Sequence, residues 1–270
     1  MKLLDGRELA DFIKERQAHQ VRALRQALHI FPKLAIIQTV DDEVIDMYVR
    51  MKRAYGEDIL VDVDIHKIDQ SELMTTIKRL NEDVAVHGII VQLPLADATQ
   101  TDEAVDAVLA SKDIDGLGKN ATYTPATAMA IDWLLAGYNV DLKTKHIAIV
   151  GQGRLVGGPL AKLWATTGYD VSVYDETTED LPSAIRAAQV VVTATGVPGL
   201  ITEHMLQPSA VVVDAGTASE NGKVVGDVAE SARSREDLTM TPIKGGVGPL
   251  TVTALFDNVI LAAKATEIQE

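Results

Sequence analysis

The chain has 270 residues, 25 Lys and Arg against 39 Asp and Glu, and no cysteine, giving a net charge of −14. That length suits one large or two medium domains, and 47% hydrophobic residues with only 4% aromatics supply a sizeable aliphatic core. The missing thiols exclude disulfides, thiolate nucleophiles and thiolate metal sites, and the acidic balance argues against a nucleic-acid partner while leaving room for a small anionic ligand in a locally basic pocket.

No segment nears the roughly 18 apolar residues of a membrane span, and the opening MKLLDGRELADF turns charged too early for a signal peptide. The reading is therefore a cytoplasmic protein with no membrane partner. Gly6 to Leu28 carries Leu9, Ile13, Val21, Leu24 and Leu28 at helical spacing, which predicts a long amphipathic helix ended by Pro32. Lys33–Gln38 reads as a buried strand. Asp42 to Tyr55 reads as a helix closed by Gly56 in a C′ role. Ile59–Ile65 alternates like a strand, Ser71–Leu80 reads as a helix with Ser71 at its N-cap, and His87–Gln92 as a third strand. Strands and helices in this alternation predict βαβ units and a parallel sheet.

Thr124-Pro125 opens a helix to Leu135, with Gly137 at its end, and a second α/β pattern follows. Its strands are His146–Val150, Val171–Tyr174, Val190–Thr195 and Ala210–Asp214, and its helices Pro159–Thr167 and Leu181–Ala187. After Gly245-Gly246-Val247-Gly248-Pro249 a last helix runs from Leu250 to about Ala265, placed to pack back on the first lobe. The chain thus divides into two α/β lobes near Ala121–Thr127.

Gly151-Gln152-Gly153-Arg154-Leu155-Val156-Gly157 joins a strand to a helix, the context of a dinucleotide-binding turn, although its G-x-G-x-x-x-G spacing is one residue longer than usual. Gly151 would permit the tight turn, Gly153 the approach of a pyrophosphate, and Gly157 close helix packing. An ordinary tight βα turn is the alternative. Asp175, with Glu176 beside it, ends the next strand, where an acid accepts hydrogen bonds from the ribose hydroxyls of NAD and repels a 2′-phosphate. Tyr48 and Lys52 share a helix face at i, i+4, and Arg50 and Arg53 make YVRMKR locally basic. By itself that spacing is usually a solvated helix face. Gln92 stands at the carboxyl end of a predicted parallel strand, where ligands bind, and is followed by Leu93-Pro94. None of the six histidines has a metal or triad partner in sequence, and no metal site is predicted.

Together these segments closely resemble the bifunctional methylenetetrahydrofolate dehydrogenase/methenyltetrahydrofolate cyclohydrolase (FolD) family. The resemblance rests on LLDGRELA, YVRMK, GIIVQLPL, KDIDG, GRLVGGP, VVVDAG, VGDV and TPIKGGVGPLT, which span nearly the whole chain. It implies an N-terminal three-layer α/β catalytic lobe and a Rossmann-type cofactor lobe with the active site in the cleft between them, usually as a homodimer. The folate-binding lobe would comprise residues 1–123 plus 250–270, and the dinucleotide lobe residues 124–249. The implied substrate is 5,10-methylenetetrahydrofolate, which passes a hydride to NAD or NADP and is then hydrolysed through the methenyl cation to 10-formyltetrahydrofolate, without a metal. Lys52 matches the family's catalytic lysine, Tyr48 its folate-stacking partner, Gln92 the glutamine that orients the lysine, and Asp115 the pterin-binding carboxylate. Leu93, Pro94 and the stretch Gly246, Val247, Gly248 and Pro249 would border the folate. Gly151, Gln152, Gly153, Arg154, Leu155, Val156, Asp175, Glu176, Thr195, Gly196, Pro198, Gly216 and Thr217 would face the cofactor. A lysine serves this chemistry only if burial or a nearby cation, such as Arg50 or Arg53, lowers its pKa.

The chain departs from the family pattern in the cofactor turn. Gln152 replaces an arginine, Gly153 a serine, and Tyr174-Asp175-Glu176-Thr177 a His-Ser-Arg-Thr-like stretch. Lost phosphate partners and added acids predict a preference for NAD, although Arg154 lies one residue away. The segment after Asp115-Gly116 is shortened, the loop before Tyr48 lacks small residues, and Lys244 replaces a proline. Rival readings are a shikimate-type dehydrogenase, a noncatalytic NAD-binding sensor on the same fold, and a monofunctional dehydrogenase.

Overall fold

The computed structural model describes residues 1–220 and 223–269. The chain runs β1 (Lys2–Leu3), α1 (Gly6–Ala27), β2 (Lys33–Gln38), α2 (Glu43–Ile59), β3 (Asp62–Lys67), α3 (Leu73–Glu82), β4 (Gly88–Val91), α4 (Thr101–Ala107) and α5 (Ala126–Gly137). It continues through β5 (His146–Val150), α6 (Gly157–Thr167), β6 (Asp170–Tyr174), α7 (Leu181–Arg186), β7 (Val190–Thr193), β8 (Val211–Asp214), the hairpin β9 (Ala218–Glu220) and β10 (Lys223–Val225), α8 (Glu230–Arg233), β11 (Thr239–Met240) and α9 (Val247–Ala265). Two compact units result: Asp11–Ala126 with Val252–Glu270, and Met1–Ala10 with Thr127–Thr251.

The first of these units holds a parallel sheet of order β3-β2-β4, in which Leu34 faces Val63 on one side and Gly88 on the other. Strands β2 and β4 are almost wholly buried, as a parallel strand covered on both faces must be, and this explains their unbroken apolar runs. Edge strand β3 instead alternates exposed Asp62 and Asp64 with covered residues. Ala35, Ile37, Ile89 and Val91 pack against Leu73, Ile77 and Leu80 of α3 and Ala104 and Val105 of α4. From Val252 onward α9 belongs to this unit, where fully buried Phe256 stacks on Tyr55 at 5.0 Å between ring centroids.

The other unit has a six-stranded parallel sheet, β1-β11-β8-β7-β5-β6. The buried runs of β5 and β7 form its centre. Trp164 of α6 is fully buried and donates its indole N–H to Asp132 of α5 at 2.9 Å, which pins these two helices together.

Several boundaries differ from the sequence reading. Gly56 does not end α2. It is buried inside the helix, where a Cβ would meet Val63 Cγ2 at 2.5 Å, and the helix runs on to a left-handed cap at Leu60 with φ 64°. Ser71 sits in a short 3₁₀ turn, Gln70–Glu72, rather than capping α3. Two-residue strands β1 and β11 and helix α4 carry too little periodicity to be seen in sequence. Helix α9 begins at Val247 and, by length and composition, equals a membrane-spanning helix, contrary to the sequence reading. About two-thirds of it is buried inside the protein, so its apolar character is that of a core helix.

Phe256→Ala should lower the free energy of unfolding by about 3–5 kcal/mol, the usual cost of truncating a buried aromatic. Urea titration of the full chain checks this, and a loss under about 1 kcal/mol would show that Phe256 does not anchor α9.

Candidate active site

Helix α2 starts where Asp42 accepts hydrogen bonds from the backbone N–H groups of Val44 and Ile45. This start sets the helical phase. Ile45, Val49 and Ile59 turn into the core, while Val44, Met47, Tyr48 and Met51 form an exposed apolar stripe at i, i+3, i+4, i+7. Lys52 lies one turn beyond Tyr48. Its ammonium donates to Gln92 Oε1 at 2.7 Å, and Gln92 Nε2 donates to the Leu93 carbonyl at 3.0 Å, which turns the amide oxygen toward the lysine. Gln92 is held in place because its own N–H continues the β2–β4 ladder to Ile37. The Leu93-Pro94 bond that follows is cis.

Burial pushes the Lys52 pKa down, and the Asp115 carboxylate works against that fall. Burial likewise pushes Asp115 up, Lys52 draws it down, and Asp113 adds to the rise. The arginines do not produce the lysine's shift. Arg53 is paired with Glu57 at 3.0 Å, and both Arg50 and Arg53 are exposed. Desolvation of the amine, not a neighbouring cation, is the operative cause. Lys52, Gln92 and Asp115 thus form one electrostatically linked cluster, with Tyr48 adjacent on the helix. An amine whose proton affinity is weakened by desolvation gives up its proton more readily than an exposed lysine does.

In the other unit, Gly151 has φ 98° and Gly157 packs so closely that a Cβ on it would lie 1.8 Å from the Gly151 carbonyl oxygen. Nothing lies within 4 Å of a Cβ built on Gly153. No side chain caps the start of α6. Gln152 Nε2 donates to Asp175 Oδ2 at 3.1 Å, while the N–H and hydroxyl of Thr177 donate to Oδ1 at 3.0 and 2.6 Å. These bonds, chiefly those from Thr177, hold the Asp175 carboxyl below its ordinary range. Glu176 is exposed beside it. Thr195 begins the loop after β7 and leads to Gly196 at φ 71° and then Pro198, and Gly216 and Thr217 follow β8. Gly246 precedes α9, and Val247, Gly248 and Pro249 form its first turn rather than a free loop.

Sequence reasoning missed Asp227, which is fully buried and accepts at one oxygen from the Thr193 hydroxyl at 2.6 Å and from Thr195 N–H and hydroxyl at 2.7 and 2.9 Å. The VGDV segment was its only signal. Asp113 and Asn258, which hold the loop around Asp115, were also missed.

Residues 4–115 match the family model described as the tetrahydrofolate dehydrogenase/cyclohydrolase catalytic domain, and residues 125–267 match the NAD(P)-binding domain of the same family. The chain belongs to the tetrahydrofolate dehydrogenase/cyclohydrolase family. It is 37% identical to a bifunctional protein FolD from a Hydrogenobaculum species, over 98% of this chain and 99% of that protein. The crystal structure of the bifunctional enzyme FolD from Campylobacter jejuni superposes with a TM-score of 0.92 at 33% identity, covering 98% and 99% of the two chains. The Trypanosoma brucei FolD, solved with NADP cofactor and an inhibitor, gives 0.91 at 30% identity and 98% coverage of each chain. Within the tetrahydrofolate dehydrogenase/cyclohydrolase family frame, Tyr48, Lys52, Gln92 and Asp115 fall in the catalytic domain, and Gly151, Asp175, Thr195 and Gly216 in the NAD(P)-binding domain. The shikimate-type alternative falls with this match.

Because Asp115 raises the proton affinity of Lys52, removing its charge should lower the lysine pKa further and enlarge the neutral amine fraction at any fixed pH below the ordinary lysine value. In Asp115→Asn, the pH midpoint for acylation of Lys52, followed by peptide mass spectrometry, should move to lower pH. A midpoint that stays or rises would show that the two groups do not sense each other.

Proposed function

We propose that the chain oxidises 5,10-methylenetetrahydrofolate to the methenyl form with a nicotinamide dinucleotide and hydrolyses that cation to 10-formyltetrahydrofolate, within one-carbon metabolism. The observation that carries this reading is the Lys52–Gln92 hydrogen bond beside Asp115, with the apolar stripe of α2 one turn away. Folate-handling falls to residues 1–123 with 250–270, and dinucleotide binding to residues 124–249. The first ten residues also lend a strand to the larger sheet.

Asp115 binds the pterin, since a carboxylate accepts two ring N–H groups side by side. Tyr48 offers an aromatic face to the folate, flanked by Val44, Met47 and Met51. Leu93 and Pro94 border the substrate. In the hydrolytic step neutral Lys52 takes a proton at Nζ from the attacking water, and Gln92 keeps that nitrogen in place. A charged lysine would instead repel the cationic substrate, so the desolvation that lowers its proton affinity serves the chemistry.

The Gly151–Gly157 turn fits a dinucleotide: the close Gly151–Gly157 approach brings an uncapped helix start to the strand end, and Gly153 leaves room at the backbone. When bound, the nicotinamide supplies the hydride acceptor. Gln152, Gly153, Arg154, Leu155 and Val156 line the turn, and Thr195, Gly196, Pro198, Gly216 and Thr217 face the cofactor further along. We further propose that NAD is preferred. Asp175 is kept ionised by its hydrogen bonds, and with Glu176 it sets negative charge where a 2′-phosphate would have to sit. No group of three or more potential ligands that could hold a metal ion occurs among the described residues, and the chemistry proposed needs none. The enzyme acts as a cytoplasmic homodimer.

Lys52→Met and Lys52→Gln should abolish the hydrolysis of methenyltetrahydrofolate and impair overall turnover, read from the decay of methenyl absorbance. Wild-type hydrolysis in either variant would refute the role of Lys52. If methenyl absorbance accumulates without decay in the unmodified enzyme, the protein is a monofunctional dehydrogenase.

The unmodified enzyme should show kcat/KM for NAD at least about tenfold above that for NADP, a difference of ~1.4 kcal/mol. Asp175→Ser should narrow the ratio. An NADP preference would overturn the proposed selectivity without touching the folate chemistry.

A further inference from the structure

Asp115 lies in a short turn whose two sides are gripped by two buried polar residues. On the upstream side Asn258, only 1% exposed, donates its amide N–H groups to the carbonyls of Ile114 at 2.8 Å and Thr124 at 3.0 Å. It thereby ties the residue before Asp115, and the far end of the loop, to helix α9. On the downstream side Asp113, 4% exposed, gathers three consecutive N–H groups: Gly116 at 3.0 Å and Leu117 at 3.4 Å on one oxygen, and Gly118 at 2.8 Å on the other. Asp113 is itself fixed by a parallel bridge to Ile89 of β4. Thr122 and Tyr123 close the loop by donating their hydroxyls to the Ala110 and Ser111 carbonyls.

The bonds from Asn258 and those from Leu117 and Gly118 to Asp113 satisfy backbone groups that would otherwise be stranded in a covered turn, whereas the Thr122 and Tyr123 bonds lie on its exposed side. The consequence for Asp115 is geometric. Its preceding carbonyl and its following three amides are held by side chains from different parts of the unit, so the backbone at Asp115, and with it the direction of its Cα–Cβ bond, is held from two sides. A carboxylate that must meet two ring N–H groups at once loses affinity when it moves by a fraction of an ångström or turns out of plane.

We propose that Asp113 and Asn258 are positioning residues for Asp115, fixing the turn that aims its carboxylate and so setting the affinity for the pterin ring. This rests on the reading of Asp115 as the pterin-binding carboxylate. A role in stability alone would loosen the protein generally. A positioning role acts on one substrate, because the cofactor-facing residues belong to the other unit.

The test uses the full-length enzyme and steady-state dehydrogenase kinetics on Asn258→Ser, Asp113→Asn and Asp115→Asn, with both substrates varied. The serine side chain in Asn258→Ser is too short to reach either carbonyl, whereas Asp113→Asn keeps size and one acceptor oxygen. The expected result is a KM for methylenetetrahydrofolate raised about tenfold in Asn258→Ser and Asp113→Asn, with the KM for NAD within about twofold of the unmodified enzyme. A folate KM that stays put in both variants while Asp115→Asn raises it overturns the positioning role and leaves the pterin reading standing. Both KM values rising together in the two variants also overturns it, in favour of general loosening. An unchanged folate KM in Asp115→Asn removes the pterin reading and the proposal with it. If Asn258→Ser does not fold, Asp113→Asn decides by the same criteria.

Discussion

The candidate site is built around an amine, that of Lys52, drawn partly out of water with no carboxylate hydrogen bond to it among the described residues. The hydrogen-bond partner of Lys52 is a neutral amide oxygen, that of Gln92, and the charge of Asp115 acts on it only as a field. A direct ion pair would have fixed the lysine as a cation. No carboxylate at all would have left desolvation unopposed and the lysine's proton affinity lower still. The intermediate arrangement weakens the lysine's hold on its proton, which suits the proton transfer proposed for this site. It also makes the cluster sensitive to small displacements, because Coulomb interactions in a partly desolvated site change steeply with distance.

That sensitivity explains the weight of the surrounding scaffold. Lys52 is placed by a helix whose phase is set at Asp42, Gln92 by a strand buried on both faces, and Asp115 by a turn gripped from two sides. The same logic governs the larger sheet. Gly151, Asp175, Thr195 and Gly216 all lie at or just beyond the carboxyl ends of the parallel strands β5, β6, β7 and β8, where loops leave the core and backbone groups turn outward. Buried runs of Val and Ile fix the strand ends, and the ends fix the chemistry.

Much of this was legible in the sequence. The runs KLAIIQ and HIAIV marked two strands to the residue, because a covered parallel strand has a continuous apolar signature. The spacing of Tyr48 and Lys52, the Gly151 turn and Gln92 at a strand end were readable for the same reason: each is local. What was hidden is non-local. Gly56 looks like a helix stop until Val63 is seen against it. Strands β1 and β11 have two residues each; β1 exists because it finds β11 across more than two hundred positions, and β11 because it also finds β8. Asn258 is one of a few polar residues in a largely apolar helix, and its purpose appears only when Ile114 and Thr124 are brought to it. The sequence left burial and a nearby cation open as sources of the lysine shift, and the structure selects burial: Arg50 and Arg53 neighbour Lys52 in the chain but stand exposed, while burial is a tertiary property.

The same distinction applies to charge. A net charge of −14 would suggest a surface hostile to an anionic folate or dinucleotide, yet net charge says little about what the individual acids do. Asp227 is fully buried and spent on Thr193 and Thr195, Asp214 is paired with Arg233 in the interior, and Asp113 is absorbed by three backbone amides. These carboxylates act as internal hydrogen-bond acceptors that shape loops. Asp175 and Glu176 differ because they stand at a strand end, Glu176 exposed and Asp175 half-buried but held ionised by its neighbours. An acid repels a phosphate only where it keeps its charge and faces the ligand's path. The proposed selectivity therefore rests on the hydrogen bonds that place Asp175, with Glu176 exposed beside it, and the other acids of the chain are free to build the fold.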